Sequence, residues 1–217
     1  MIHESHYWKE DIVKRANLLR RRLHQVLWQD RTFAKVEQDL MLGFYSIRKL
    51  IESKKLSTSL VNASLSLVSH PCQRRVTQLN CNAIQDLYDM EKHTVEQRDI
   101  AFVCNQFIHS YVFMLTFSET PRLHGVLVSS DHERNRAVYH LSMDNILALF
   151  DLIVRDSPTI VRMTMNKHRE DFDVETHQGP AGATMSLIME DNDYDVANPD
   201  AVAIMIKSSL LRGLRTR

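Results

Sequence analysis

The stretch Val95-Glu-Gln-Arg98-Asp-Ile-Ala-Phe-Val-Cys-Asn105-Gln-Phe-Ile-His109-Ser-Tyr-Val-Phe-Met-Leu-Thr-Phe117 decides how the rest of the chain is read. Its apolar residues Ile100, Val103, Cys104, Phe107, Ile108, Tyr111, Met114 and Leu115 recur in steps of three and four. That spacing is the period of an α-helix, and the width of the apolar face marks a helix surrounded by others. The spacing predicts one long helix over 95–117 in the middle of a bundle.

Working outward, two amphipathic segments precede it. Ile12, Ala16, Leu19, Leu23 and Val26 form one helical stripe, with Ser5 as a cap and Glu10 and Asp11 near the positive end of the dipole. Phe33, Val36, Leu40, Phe44, Ile47 and Ile51 form a second, so a helical hairpin is expected. Residues 56–81 read as a connector interrupted by Pro71, and a short helix is expected around 83–90.

Beyond Pro121 the pattern alternates instead. Residues 125–130 and 137–142 read as strands around a polar loop, 143–155 as a helix, and 159–165 and 172–176 as two further strands. The expected architecture is α+β: a mainly helical bundle over 1–118, then a small β-β-α-β-β element over 119–177 packed on it. Residues 178–217 are expected to be an acidic linker and a short C-terminal helix, since nine acids and no Lys or Arg fall between 170 and 200.

Composition narrows the class of function. The 217 residues carry 27 Lys+Arg and 27 Asp+Glu, which gives no overall sign pointing to nucleic acid. Three cysteines at irregular spacing do not make a secreted disulfide framework, and no apolar run reaches the roughly 18–20 residues of a membrane helix. A cytoplasmic setting without membrane attachment is therefore expected. There is no Gly-rich phosphate loop, no nucleophile elbow and no paired-histidine zinc motif, so neither cofactor nor metal is expected.

Asn105 and His109 stand four residues apart, on one side of the predicted central helix. Polar groups there need partners, because burying either one alone costs about 1–3 kcal/mol. Their plainest role is to bond neighbouring helices and fix register. Arg98 lies on nearly the same face, about 16 Å along the helix from His109.

A helical bundle carrying Asn-x-x-x-His on a late helix resembles the HEPN superfamily, bacterial helical proteins that include many ribonucleases of defence and toxin systems. The family motif is Arg, a polar residue often Asn, three variable residues, then His. Asn105 and His109 match it, and Cys104 stands at the Arg position. The resemblance covers residues 5–117 and implies metal-independent chemistry. His109 would act as general acid or base on a ribose hydroxyl, Asn105 would orient it, and Arg98 or Arg48 would offset phosphate charge. Glu37, on the facing helix, would hold the histidine.

Two other clusters are candidates. Lys14, Arg15, Arg20, Arg21 and Arg22 make the first segment basic, and residues 1–55 hold twelve basic against seven acidic residues, an excess of five. Such a face can track phosphates. The predicted hairpin loop gathers Asp131, His132, Arg134 and Arg136, and loops carry function disproportionately. The leading expectation is a cytoplasmic interaction or regulatory protein on a HEPN-like bundle, acting as a homo-oligomer or with a protein partner. The alternatives are a toxin- or defence-type endoribonuclease using His109 and Asn105, and RNA binding by the basic first helix.

Overall fold

The computed structural model describes residues 2–118, 122–181, 183 and 185–190. Helices α1 (Ser5–Arg22) and α2 (Asp30–Glu52) pack together, as the two stripes predict. After a one-turn α3 (Thr58–Val61), the connector forms strand β1 (Ser64–Pro71). The helix expected around 83–90 is a single turn, α4 (Ile84–Leu87).

The decisive stretch is not one helix. It divides into β2 (Thr94–Asp99), α5 (Ile100–Ile108) and β3 (Ser110–Phe117). Asp99 caps α5 by accepting from the Phe102 N–H at 2.6 Å, and His109 ends it with non-helical φ and ψ. Beyond that cap, Tyr111-Val-Phe-Met-Leu-Thr-Phe117 is rich in aromatic and β-branched residues, which fit a pleated strand better than a helix. The apolar run satisfies both periods, and pairing with a neighbouring strand decides between them.

Strands β4 (Leu123–Ser130) and β5 (Ala137–Ser142) form the predicted hairpin, followed by α6 (Met143–Arg155). They do not form a separate element with the later strands. A five-stranded antiparallel sheet runs in the order β2-β1-β5-β4-β3, so β4 and β5 lie at its centre. Strands β6 (Ile160–Asn166), β7 (Asp171–His177) and β8 (Ser186–Glu190) form a second sheet in the order β7-β6-β8, with β6 and β8 parallel. Strand β8 falls in the segment expected to be linker. The expected acidic run and C-terminal helix beyond 190 lie outside the described residues. The mainly helical bundle is thus replaced by an α+β fold with two sheets.

Alternation along the central strands builds two cores. Val126, Val128, Tyr139 and Leu141 point to the face covered by α1, α2, α5 and α6, meeting Ile12, Leu40, Phe44, Phe107 and Phe150. Phe44 stacks on Phe107 with ring centroids 3.8 Å apart. Leu127, Val138 and Val112 point the other way, where Val76, Ile84, Leu87 and Tyr88 cover them.

The second sheet joins the body through polar bonds. Asp156, 3% exposed at the end of α6, accepts from the Ser57 N–H, the Ser57 hydroxyl and Gln178 Nε2, each at 2.6 Å. Lys9 Nζ donates to the Asp156 carbonyl. On β7, the Thr176 hydroxyl donates to Leu56 O at 2.6 Å, and its N–H donates to Thr58 Oγ1 at 2.9 Å.

Candidate functional site

The structure brings together two candidate clusters that are separate in sequence, one ending at His109 and the other beginning at Asp131. A cleft of about 390 Å³ is lined by Phe102, Asn105, Gln106 and His109 of α5 and by Ser130, Asp131, His132 and Glu133 of the β4–β5 turn. It lies at the end of the sheet where β4 finishes and β3 begins. Two bonds fix its walls: the Ser130 N–H donates to Gln106 Oε1 at 2.9 Å, and the Asp131 N–H donates to His109 O at 2.9 Å.

The buried polar group of α5 is Gln106, not Asn105 or His109. Gln106 Nε2 also donates to Phe102 O, so both ends of its amide are used inside the fold. Asn105 is half-buried and His109 is exposed at the helix cap, because α5 ends there instead of continuing. Neither side chain fixes the register of a bundle. Gln106 is a polar residue one step from the apolar face in sequence, and it is the early end of α5 at Ile108 that leaves it, and not Asn105, facing inward.

The acids of the cleft are held by arginines. Asp131 pairs with Arg134 at 2.8 Å, and Glu133 pairs with Arg136 at 3.2 Å. Glu133 also accepts from the Tyr139 hydroxyl at 2.9 Å. Burial and that bond to a carboxylate both push the Tyr139 hydroxyl up, so it stays protonated and keeps donating. The Arg134 guanidinium lies over the Tyr111 ring at 3.7 Å, and its Nε is buried without a hydrogen-bond partner among the described residues. His132 stands at the rim, its side chain 92% exposed and its Nε2 4.0 Å from Glu133 Oε1.

Arg98 does not line the cleft. It sits on β2 opposite Leu65, bonds Glu96, and lays its guanidinium over Phe102 at 4.6 Å. Burial opposes ionisation of Glu96. Bonds from Ser69 and Arg98, with the charges of Arg98 and Arg136, outweigh it and hold the carboxyl below its ordinary range. Glu37 is exposed on α2, and Arg48 pairs with Glu52 at 2.9 Å, so neither takes the role implied by the resemblance. Cys104, at the family's Arg position, is fully buried. Burial pushes its thiol up to about 12, which leaves it a packing group and not a thiolate.

The basic first helix is largely occupied by the fold itself. Arg15 bridges Asp11 at 2.9 Å and Asp39 at 3.2 Å, which ties α1 to α2. Arg20 reaches both oxygens of Asp151 at 2.7 Å, which ties α1 to α6. Arg22 donates to Gln25, and Lys14 and Arg21 remain exposed. No group of three or more His, Cys, Asp or Glu among the described residues is placed to hold a metal ion. No described helix is long and apolar enough to cross a membrane.

The site therefore belongs to a class of open, hydrogen-bonding clefts at the end of an antiparallel sheet. Compared with family models, with curated proteins and with solved structures, the chain matches none.

Proposed function

We propose that this is an interaction protein that assembles with a second copy of itself along the free edge of β3, beside the cleft. The carrying observation is the contrast between the two edges of the large sheet. β2 presents Glu96, Arg98 and Asp99, charges that blunt an edge against further pairing. Among the described residues β3 pairs with β4 alone, and its eight residues include neither a charge nor a proline. Its outward backbone groups take no backbone partner among the described residues.

The edge is also complementary to itself. Antiparallel pairing about Met114 sets Phe113 opposite Leu115 and Val112 opposite Thr116, with no like charges opposed. The strand starts beside the polar cleft at Ser110. It ends at Phe117, which packs edge-on against Trp28 at 4.9 Å and Phe33 at 5.9 Å between ring centroids. Strand addition supplies affinity through the main chain, and features at either end supply specificity.

Chemistry in the cleft favours recognition over phosphodiester cleavage. A phosphate there would meet Asp131, Glu133 and the negative end of α5. Sedimentation velocity over a concentration series tests the reading. The wild type is expected to dimerise, and Met114→Lys, at a partly exposed edge position, is expected to stay monomeric with an unchanged circular dichroism spectrum. A monomer at the highest workable concentration, or dimerisation untouched by Met114→Lys, refutes it. RNA incubated with the protein in EDTA is expected to remain intact. Cleavage lost in His109→Ala would overturn the assignment in favour of a ribonuclease.

A further inference from the structure

On the opposite side of the β4–β5 turn from the cleft, a second pocket of about 330 Å³ is lined by Cys72, Gln73, Arg74, Arg75 and Asn135. We propose that it binds a phosphate group, an assignment independent of the β3 edge. The lining chemistry carries it. The side chains of Gln73, Arg74, Arg75 and Asn135 are all exposed, and no acidic residue joins them at the pocket. The Asn135 carbonyl oxygen is already used by the Val76 N–H at 2.9 Å, which leaves its amide nitrogen as a donor. The two guanidiniums have no ion pair among the described residues, whereas Arg15, Arg20, Arg98, Arg134 and Arg136 are each paired with an acid. Burial pushes the Cys72 thiol up, so it adds no negative charge.

The backbone beneath is prepared. Gln73 N–H donates to Leu87 O at 2.8 Å, Cys72 Sγ to Arg74 O at 3.0 Å, and Asn80 Nδ2 to Arg75 O at 3.1 Å. Val76, directly after the arginines, is buried in the second core. The arginines thus project from a fixed turn, and planar guanidiniums match phosphate oxygens through paired hydrogen bonds. A phosphate could come from a small phosphorylated molecule or from an RNA backbone, and the test separates them.

Titration calorimetry with inorganic phosphate and anisotropy of a labelled single-stranded RNA oligonucleotide are measured on the wild type. The same measurements are made on the double variant Arg74→Ala/Arg75→Ala and on the control Lys14→Ala/Arg21→Ala. The pocket variant is expected to weaken binding by about ten-fold or more, with the salt slope shallower by about 1, while the control stays within about two-fold. Binding of inorganic phosphate assigns a free phosphate group, and binding of RNA alone assigns the phosphodiester. Absence of both, or an equal loss in the control, overturns the proposal.

Discussion

Asp156→Ala is expected to destabilise the protein by about 3–5 kcal/mol. The carboxylate is 3% exposed and takes three donors, two from Ser57 and one from Gln178, all at 2.6 Å. A hydrogen bond to a charged group contributes about 1.5–3 kcal/mol, and its loss leaves a buried donor without a partner. The two Ser57 bonds share one residue and are not additive, so the total falls below the threefold sum. Lys9 adds to the cost. Burial already pushes its ammonium below the ordinary value against the attraction of Asp156, and removing that charge leaves the cation uncompensated. Asp156→Asn keeps one acceptor and is expected to cost less, about 1–3 kcal/mol. Urea unfolding followed by circular dichroism reads both, with the slope expected to stay constant and the midpoint to move. A domain of this kind has about 5–15 kcal/mol in total, so the alanine variant should be visibly compromised at room temperature. A loss under about 1 kcal/mol would refute the reasoning, because the carboxylate would then be dispensable to the junction between α6, α3 and the second sheet.

Gly125→Ala is expected to lower the urea midpoint by the equivalent of about 1–3 kcal/mol, since a Cβ there meets the Leu141 carbonyl oxygen and lies 2.7 Å from His140 Nε2; an unchanged midpoint would show that β5 yields freely. His140 is pushed below the ordinary imidazole range by burial, and then by the neighbouring His124 and His70. Its contribution is therefore unchanged above the unfolded value of about 6.5 and turns unfavourable as pH falls through it toward the lower folded value. Stability measured between neutral and mildly acid pH should decline with acidification, and His140→Gln should flatten that decline; identical slopes in the two proteins would dismiss the histidine as its source.

How much was legible depended on which force decided each segment. Helix α6 carries its own instructions: Ser142 accepts from the Asn145 N–H at 3.2 Å, and an unbroken stripe runs to Ile153. The sequence reading and the structure agree on its span, and strands β4 to β7 also fall close to their expected places. Residues 95–117 carried a conflict. Ile100 to Phe107 is helical by local preference, while Tyr111 to Phe117 becomes a strand because β4 is there to pair with it. Nothing local announces that partner. The same holds for β1, whose Ser-Leu-Ser-Leu-Val-Ser run alternates weakly but lies between β2 and β5. The candidate site was half visible. Asn105, His109 and the polar turn were identified, but their meeting follows from the hairpin lying under α5. In sequence Arg74 and Arg75 are ordinary connector residues, and only the fold sets Asn135, from much later in the chain, beside them.

That placement gives the β4–β5 turn an organising part that neither cluster shows alone. Toward the cleft, its amides bond Gln106 and His109. Toward the second pocket, Arg134 O accepts from the Tyr88 hydroxyl at 2.8 Å, and Arg136 O accepts from the Cys72 N–H at 2.9 Å. Between them Glu133 turns inward to Tyr139 and Arg136. A turn bonded on both sides and anchored in its middle is a rigid spacer, not an exposed loop tip free to adapt. Its charges are arranged to match. Asp131 and Glu133 line the cleft with their carboxylates paired to Arg134 and Arg136, and Asn135 joins Arg74 and Arg75 on the other side, where an anion is favoured. Six residues of polar sequence thus divide two differently lined sites, because the chain folds back on itself there, with the Arg134 N–H donating to Ser130 O at 2.9 Å and the Arg136 N–H to Glu133 O at 2.7 Å.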